Sequence, residues 1–68
     1  MKFKLIASSS TKEKLQEFIN KYHYSDKWVI CDDNTLFNPL FDKSKNSEIN
    51  SHYRIKTTKG RWRFELRM

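Results

Sequence analysis

The sequence predicts a small single-domain α+β fold with the order β-α-β-β-β-β, one helix packing on one face of an antiparallel or mixed sheet. Three observations support this. Apolar and charged residues alternate on both sides of Lys59-Gly60, as they do in a β-hairpin. Residues 10–22 carry apolar side chains at helical spacing. The chain has 68 residues, a length that suits one domain, so residues 1–68 are treated as a single unit.

The first strand is predicted at residues 2–7, where lysines alternate with apolar residues. Successive side chains of a strand point to opposite sides, so Phe3 and Leu5 are expected on the core face. Lys2 and Lys4 are then expected on the opposite face of the sheet.

A helix should follow this strand. Ser10 and Glu13 have the spacing of a capping box, in which each side chain satisfies the backbone N–H of the other. The next apolar residues recur every three or four positions and are expected to face the core; they are Leu15, Phe18, Ile19 and Tyr22.

The middle of the chain has weaker patterns. Residues 27–31 are predicted to form a strand, 32–34 a turn, and 35–38 a strand that pairs back. Residues 41–51 contain only Ile49 as an apolar anchor after their first residue, which predicts a long mobile loop.

A C-terminal hairpin closed by Lys59-Gly60 has a defined register. Its predicted cross-strand pairs are Tyr53 with Leu66, Arg54 with Glu65, Ile55 with Phe64, Lys56 with Arg63, Thr57 with Trp62, and Thr58 with Arg61. All the large apolar side chains then share one face. A slip of one residue would move half of them into solvent, so this register is favoured.

The charge distribution favours binding to nucleic acid. The formal net charge is +6, and residues 51–68 hold six Lys or Arg against one Glu, whereas residues 31–50 hold two against four Asp or Glu. The non-core face of the predicted sheet should collect cations, which is what phosphates of DNA or RNA require. The candidate nucleic-acid-binding residues are Lys2, Lys4, Arg54, Lys56, Arg61, Arg63 and Arg67.

The alternative is a protein–protein interaction module, a regulator or inhibitor that docks an acidic protein through residues 41–51 or a strand edge. The composition, rich in Lys, Asn, Ser and Ile, is typical of AT-rich genomes and fits an origin in a mobile element. The expected state is a monomer or weak homodimer in the cytoplasm, without membrane contact.

Catalysis is the third and weakest hypothesis. His52 is the best general acid or base, and Ser51-His52 resembles the Ser-His pair at a strand entry in small toxin ribonucleases of double-stranded-RNA-binding-like shape. That resemblance covers two residues, and Asn50 stands where the family has glycine. No catalytic residue, cofactor or metal site is therefore assigned. The single cysteine excludes an internal disulfide and a cysteine-ligated zinc, and the single glycine, Gly60, excludes a Gly-rich nucleotide loop.

Overall fold

The computed structural model describes residues 2–23, 25 and 27–68. Its elements are β1 (Phe3–Ser9), α1 (Lys12–Tyr22), β2 (Val29–Ile30), β3 (Leu36–Phe37), α2 (Lys43–His52), β4 (Tyr53–Thr58) and β5 (Arg61–Arg67). The predicted α+β class, with antiparallel strands and α1 packed on one sheet face, is confirmed. The strands form two sheets rather than one: a three-stranded sheet in the order β1-β5-β4, and a two-stranded ribbon of β2 and β3.

The C-terminal hairpin has the predicted register at all six pairs from Tyr53–Leu66 to Thr58–Arg61. Its turn places Lys59 and Gly60 at φ 49° and 76°. A two-residue hairpin turn of type I′ requires positive φ at both central positions, and this twist matches that of the flanking strands. Alternation and turn chemistry therefore specify this part of the fold together.

Strand β1 departs from the predicted alternation because it contains a bulge between Leu5 and Ala7. Leu5 pairs with Glu65, whereas Ala7 pairs with Phe64, so one extra residue is inserted in β1. Ile6 and Ala7 pack against the core, and Leu5 is exposed on the other face. The prediction that Phe3 and Leu5 belong to the core is therefore wrong.

Helix α1 begins one residue later than the capping box predicted. The N-cap is Thr11, whose Oγ1 accepts a hydrogen bond from the backbone N of Lys14 at 3.2 Å. A threonine hydroxyl at this position satisfies one of the first N–H groups of the helix, as serine would. Ser10 precedes the cap.

The buried stripe of α1 is narrower than its apolar residues suggest. Leu15 and Ile19 are fully buried, but Phe18 and Tyr22 are exposed. Two amide side chains lie beside the buried stripe. Gln16 Oε1 accepts a hydrogen bond from Ile30 N at 3.1 Å, and Asn20 Oδ1 accepts one from Trp28 N at 2.9 Å. Helix α1 thus satisfies the free edge of β2 through amide side chains.

Helix α2 replaces most of the loop expected at residues 41–51. Its N-cap is Asp42, which accepts from Lys45 N at 2.8 Å. Asn46 and Asn50, one turn apart, then face the edge of β3. Each amide forms a two-point contact with a strand residue: Asn46 with the N and O of Asn38 at 2.7 and 3.1 Å, and Asn50 with the N and O of Leu36 at 2.8 and 2.8 Å.

The spacing of these contacts explains why a helix can serve as an edge partner. Four residues of helix rise about 6 Å, and two residues of strand span about 6.6 Å. Side chains at i and i+4 of a helix therefore match alternate backbone groups of a strand. The ribbon is held on both edges in this way, by α1 on β2 and by α2 on β3.

The apolar core lies between α1, the ribbon and the inner face of the three-stranded sheet. Its buried members are Leu15, Ile19, Trp28, Ile30, Leu36, Ile55 and Phe64. Tyr53 and Trp62, expected in the core, are half-buried against it, as is Ile49 of α2.

Candidate nucleic-acid interface

The three-stranded sheet has one face covered by α1 and one face that points away from it, which we call the outer face. Phe64, opposite Ile55 and Ala7, marks the covered face. The registers place the following residues on the outer face: Phe3, Leu5, Ser8, Arg54, Lys56, Thr58, Arg61, Arg63, Glu65 and Arg67. Five of these are cations and one is an acid, so the outer face is strongly basic.

Glu65 lies at the centre of the outer face and joins two arginines. Its Oε1 accepts from Arg54 Nε at 2.5 Å, and its Oε2 accepts from Arg63 Nε at 2.8 Å. The Glu65 side chain is only 5% exposed, whereas those of Arg54 and Arg63 are 30% and 34% exposed. The two guanidinium groups thus cover the carboxylate and form the solvent-facing surface. One negative charge between two positive ones leaves this group with a net positive charge.

The pKa of Glu65 reports the strength of this arrangement. Burial alone would raise the pKa of the carboxyl, because it disfavours the charged form. Hydrogen bonds from Arg63 and Arg54, together with their positive charges, outweigh burial and hold the pKa below its ordinary value of 4.5. Glu65 is therefore ionised at neutral pH and keeps both arginines in place.

Phe3 adds an aromatic ring to the outer face. The Arg54 Cζ lies 3.2 Å from the centroid of this ring, and the Arg67 Cζ lies 5.4 Å from it. The shorter distance requires the guanidinium of Arg54 to lie over the ring, an arrangement that stabilises the cation through the ring electrons. Arg54 is consequently held by two contacts, one to Glu65 and one to Phe3.

The remaining cations of the outer face are more exposed. Lys56 lies directly opposite Arg63, and its side chain makes no hydrogen bond or ion pair with any part of the chain that the structure describes. Arg61 donates from Nε to Ser8 Oγ at 3.3 Å. A cross-strand pair of like charges is unfavourable for folding, so the Lys56–Arg63 pair is not explained by stability.

The predicted seven-residue surface is divided between the two sheet faces. Lys4 pairs with Leu66, which shares the covered face with Phe64, and Lys2 lies on the same side by alternation. The other five predicted residues lie together on the outer face: Arg54, Lys56, Arg61, Arg63 and Arg67. Including Lys2 and Lys4 in that surface was wrong, because the bulge shifts the alternation of β1. The same shift places Phe3 on the outer face, where strict alternation did not predict it.

His52 is the last residue of α2 and not the first residue of a strand as predicted. Its Nδ1 lies 3.0 Å from the carbonyl oxygen of Glu48 and 3.1 Å from Ser51 Oγ. Because a carbonyl oxygen only accepts, the contact with Glu48 is a hydrogen bond when Nδ1 carries a proton. The Ser51 hydroxyl donates to the same carbonyl at 2.7 Å, so this pair caps its own helix.

Asp33 has a structural role in the turn before β3. Asp33 Oδ1 accepts from the N and Oγ1 of Thr35 at 3.1 and 2.6 Å within the turn before β3, and these bonds lower the pKa of its carboxyl. Among residues 2–23, 25 and 27–68, no three His, Cys, Asp or Glu side chains are grouped as metal ligands would be. In the same residues, neither helix has the length and apolar character needed to span a bilayer.

An exposed apolar patch lies on the β2–β3 ribbon. Val29 and Phe37 are cross-strand partners on its solvent side, and Phe37 is 48% exposed. Leu40, three residues later, is 68% exposed. We call these three residues the ribbon patch. The sequence analysis did not single it out.

Comparisons of the chain with protein-family models, curated proteins and solved structures found no match.

Proposed function

We propose that the protein binds nucleic acid, DNA or RNA, through the outer face of its three-stranded sheet. The observation that carries the proposal is the collection of five cations against one acid on a single sheet face. A polyanionic backbone favours such a surface, since each Lys or Arg that contacts a phosphate releases condensed counterions. We propose the cytoplasm as the compartment, where the single thiol, Cys31, stays reduced.

The group formed by Arg54, Glu65 and Arg63 supports this function through preorganisation. A guanidinium has five N–H donors, and each of these arginines uses only its Nε–H for Glu65. Donors on the terminal nitrogens are left for a ligand, and their positions are held by the buried carboxylate. A ligand phosphate then meets side chains whose conformational entropy has already been lost on folding.

The division of cations between the two faces offers a matched experiment. In Lys56→Gln/Arg61→Gln, two exposed cations are removed from the outer face; in Lys2→Gln/Lys4→Gln, the same charge is removed from the covered side. Both variants have a net charge of +4, calculated from the native +6. Arg54 is left intact in both, because its loss would remove one of the two partners of the buried Glu65 carboxylate.

Binding to labelled oligonucleotides would be followed by fluorescence anisotropy between ~50 and ~200 mM salt. We expect the outer-face variant to weaken binding and to reduce the slope of log K against log salt by about 1.4 to 1.8, the value for two lost phosphate contacts. The control should retain most of the native affinity and slope. Equal losses in the two variants would show that only net charge matters and would contradict an outer-face site.

The ribbon patch favours a second function, binding to a protein surface, with a second copy of this chain as the partner to test. Val29 and Phe37 are direct cross-strand neighbours on the exposed side of the ribbon, and exposed apolar patches mark sites of contact with other proteins. Phe37→Ser/Leu40→Ser would remove the two most exposed members of the ribbon patch without altering the cations. Sedimentation of the native chain over a range of concentrations tests the weak homodimer: a mass that rises with concentration and does not rise in this variant supports association through the patch.

A further inference from the structure

We infer that the nucleic acid bound by the outer face is single-stranded, with one unpaired base extending the stack of Phe3 and Arg54. The inference rests on the proposed function, and it specifies the class of ligand. It starts from a feature that phosphate binding alone does not require, namely an aromatic ring paired with a guanidinium plane on the basic face.

The stack is rigid and partly open to solvent. Arg54 is held over Phe3 with its Cζ 3.2 Å from the ring centroid, and its Nε is bonded to Glu65. Both stacked side chains are half-buried, so each keeps part of its surface open to solvent at the sheet face. Aromatic rings and guanidinium planes are the two protein groups on which unpaired bases stack.

Phosphate contacts lie close to this surface. Lys56 and Arg63 are each two residues along their strands from Arg54 and Glu65, a distance of about 7 Å. A phosphate that adjoins a base on the stack can therefore reach these cations. In a duplex the bases are stacked on one another, so a flat face of this kind could contact only its phosphates. A single strand uses both the cations and the stack.

The experiment compares two variants that carry the same substitution and no change in charge. Phe3→Leu removes the ring from the outer face, and Phe37→Leu removes an exposed ring from the β2–β3 ribbon. Each is titrated against a labelled single strand, its duplex, and a strand of the same length built from abasic sites. Circular dichroism confirms that both variants are folded, and Arg54→Lys, which keeps the charge and removes the plane, provides a second test.

We expect Phe3→Leu to weaken single-strand binding by about fivefold or more, the effect of losing one stacked base. Its salt slope and its duplex affinity should be unchanged, and the abasic strand should bind the native chain and Phe3→Leu equally. Phe37→Leu should bind as the native chain does. Arg54→Lys should reproduce the loss seen with Phe3→Leu.

Three results would overturn the inference while leaving the proposed function in place. The first is that the native chain binds the duplex more tightly than the single strand. The second is that Phe3→Leu and Phe37→Leu bind the single strand with equal affinity. The third is that the native chain binds the abasic strand as tightly as the ordinary single strand. In each of these cases Lys56→Gln/Arg61→Gln would still weaken binding. If the native chain bound none of the three ligands at low salt, the proposed function itself would be wrong.

Discussion

Replacing Asn46 with alanine tests whether helix α2 is held to the ribbon by its amides. Asn46 is buried, and its side chain satisfies both the N and the O of Asn38, whose exposed fraction is 0%. The substitution leaves the buried N–H of Asn38 without a partner, at a cost of about 1–3 kcal/mol, whereas the carbonyl of Asn38 keeps its bond from Phe41 N at 3.1 Å. Alanine returns about 0.5 kcal/mol through its higher helix propensity. The net expectation is a loss of about 0.5–2.5 kcal/mol in the free energy of unfolding.

This loss is large for a chain of 68 residues, whose single core is expected to supply about 3–5 kcal/mol. Urea denaturation followed by tryptophan fluorescence would measure it, since Trp28 lies in the core beside the ribbon. Ser47→Ala is the matched control on the same helix, because Ser47 is exposed, and it should change the stability by less than about 0.5 kcal/mol. If Asn46→Ala cost no more than this control, the amide contacts would not be what positions α2.

Three further predictions concern the ionised group of the outer face, the helix cap and the hairpin turn. Because the pKa of Glu65 is lowered on folding, its stabilising contribution is complete above pH 4.5 and is lost as the pH falls through the pKa of the folded state. In acid titrations, the free energy of unfolding should therefore decline less steeply with falling pH in Glu65→Gln than in the native chain. Thr11→Ala should lower the unfolding free energy by about 1 kcal/mol in urea titrations and Ser10→Ala by much less; the reverse order would restore the predicted capping box. Lys59→Asn should raise the melting temperature, because asparagine tolerates positive φ better than lysine, and an unchanged or lower value would contradict a type I′ turn.

The hairpin was fully predictable because its information is local. The alternation of residues 53–58 and 61–67 and the Lys59-Gly60 turn agree on one register, and burial of Ile55 against Phe64 penalises any other. The cationic face of β4 and β5 follows directly from this register. Five of the seven predicted interface residues were therefore placed together by the sequence pattern.

The rest of the interface depended on β1, where the pattern misled. A strict alternation over residues 2–7 puts Lys2 and Lys4 with the arginines and Phe3 in the core, but the bulge exchanges these positions. A bulge is decided by what the strand pairs with and packs against, here the pairing of Ala7 with Phe64 and the packing of Ile6 and Ala7 against the core. The stack of Phe3 with Arg54 could not be foreseen without that pairing.

Helix α2 was not predicted because its contacts with the rest of the fold are mainly polar. Apolar periodicity identifies helices that bury a hydrophobic stripe, and α2 instead presents Asn46, Ile49 and Asn50 to the structure. The spacing of these three residues, i, i+3 and i+4, after an Asp42 cap was the available signal. This spacing predicts a helix only if asparagine is counted among the residues that can face the protein interior.

The sequence by itself determined the fold class, the hairpin, its register and the concentration of positive charge near the C-terminal end. These features depend on residues close together in the chain, where alternation, turn geometry and charge act without reference to distant segments. Only the tertiary structure decided which cations share a face, that Glu65 joins Arg54 to Arg63, and that Phe3 lies on the same face against Arg54. The physical reason is that β1 pairs with β5, a strand at the other end of the sequence. A single bulged residue in that pairing exchanges the two sheet faces for the β1 side chains that precede it.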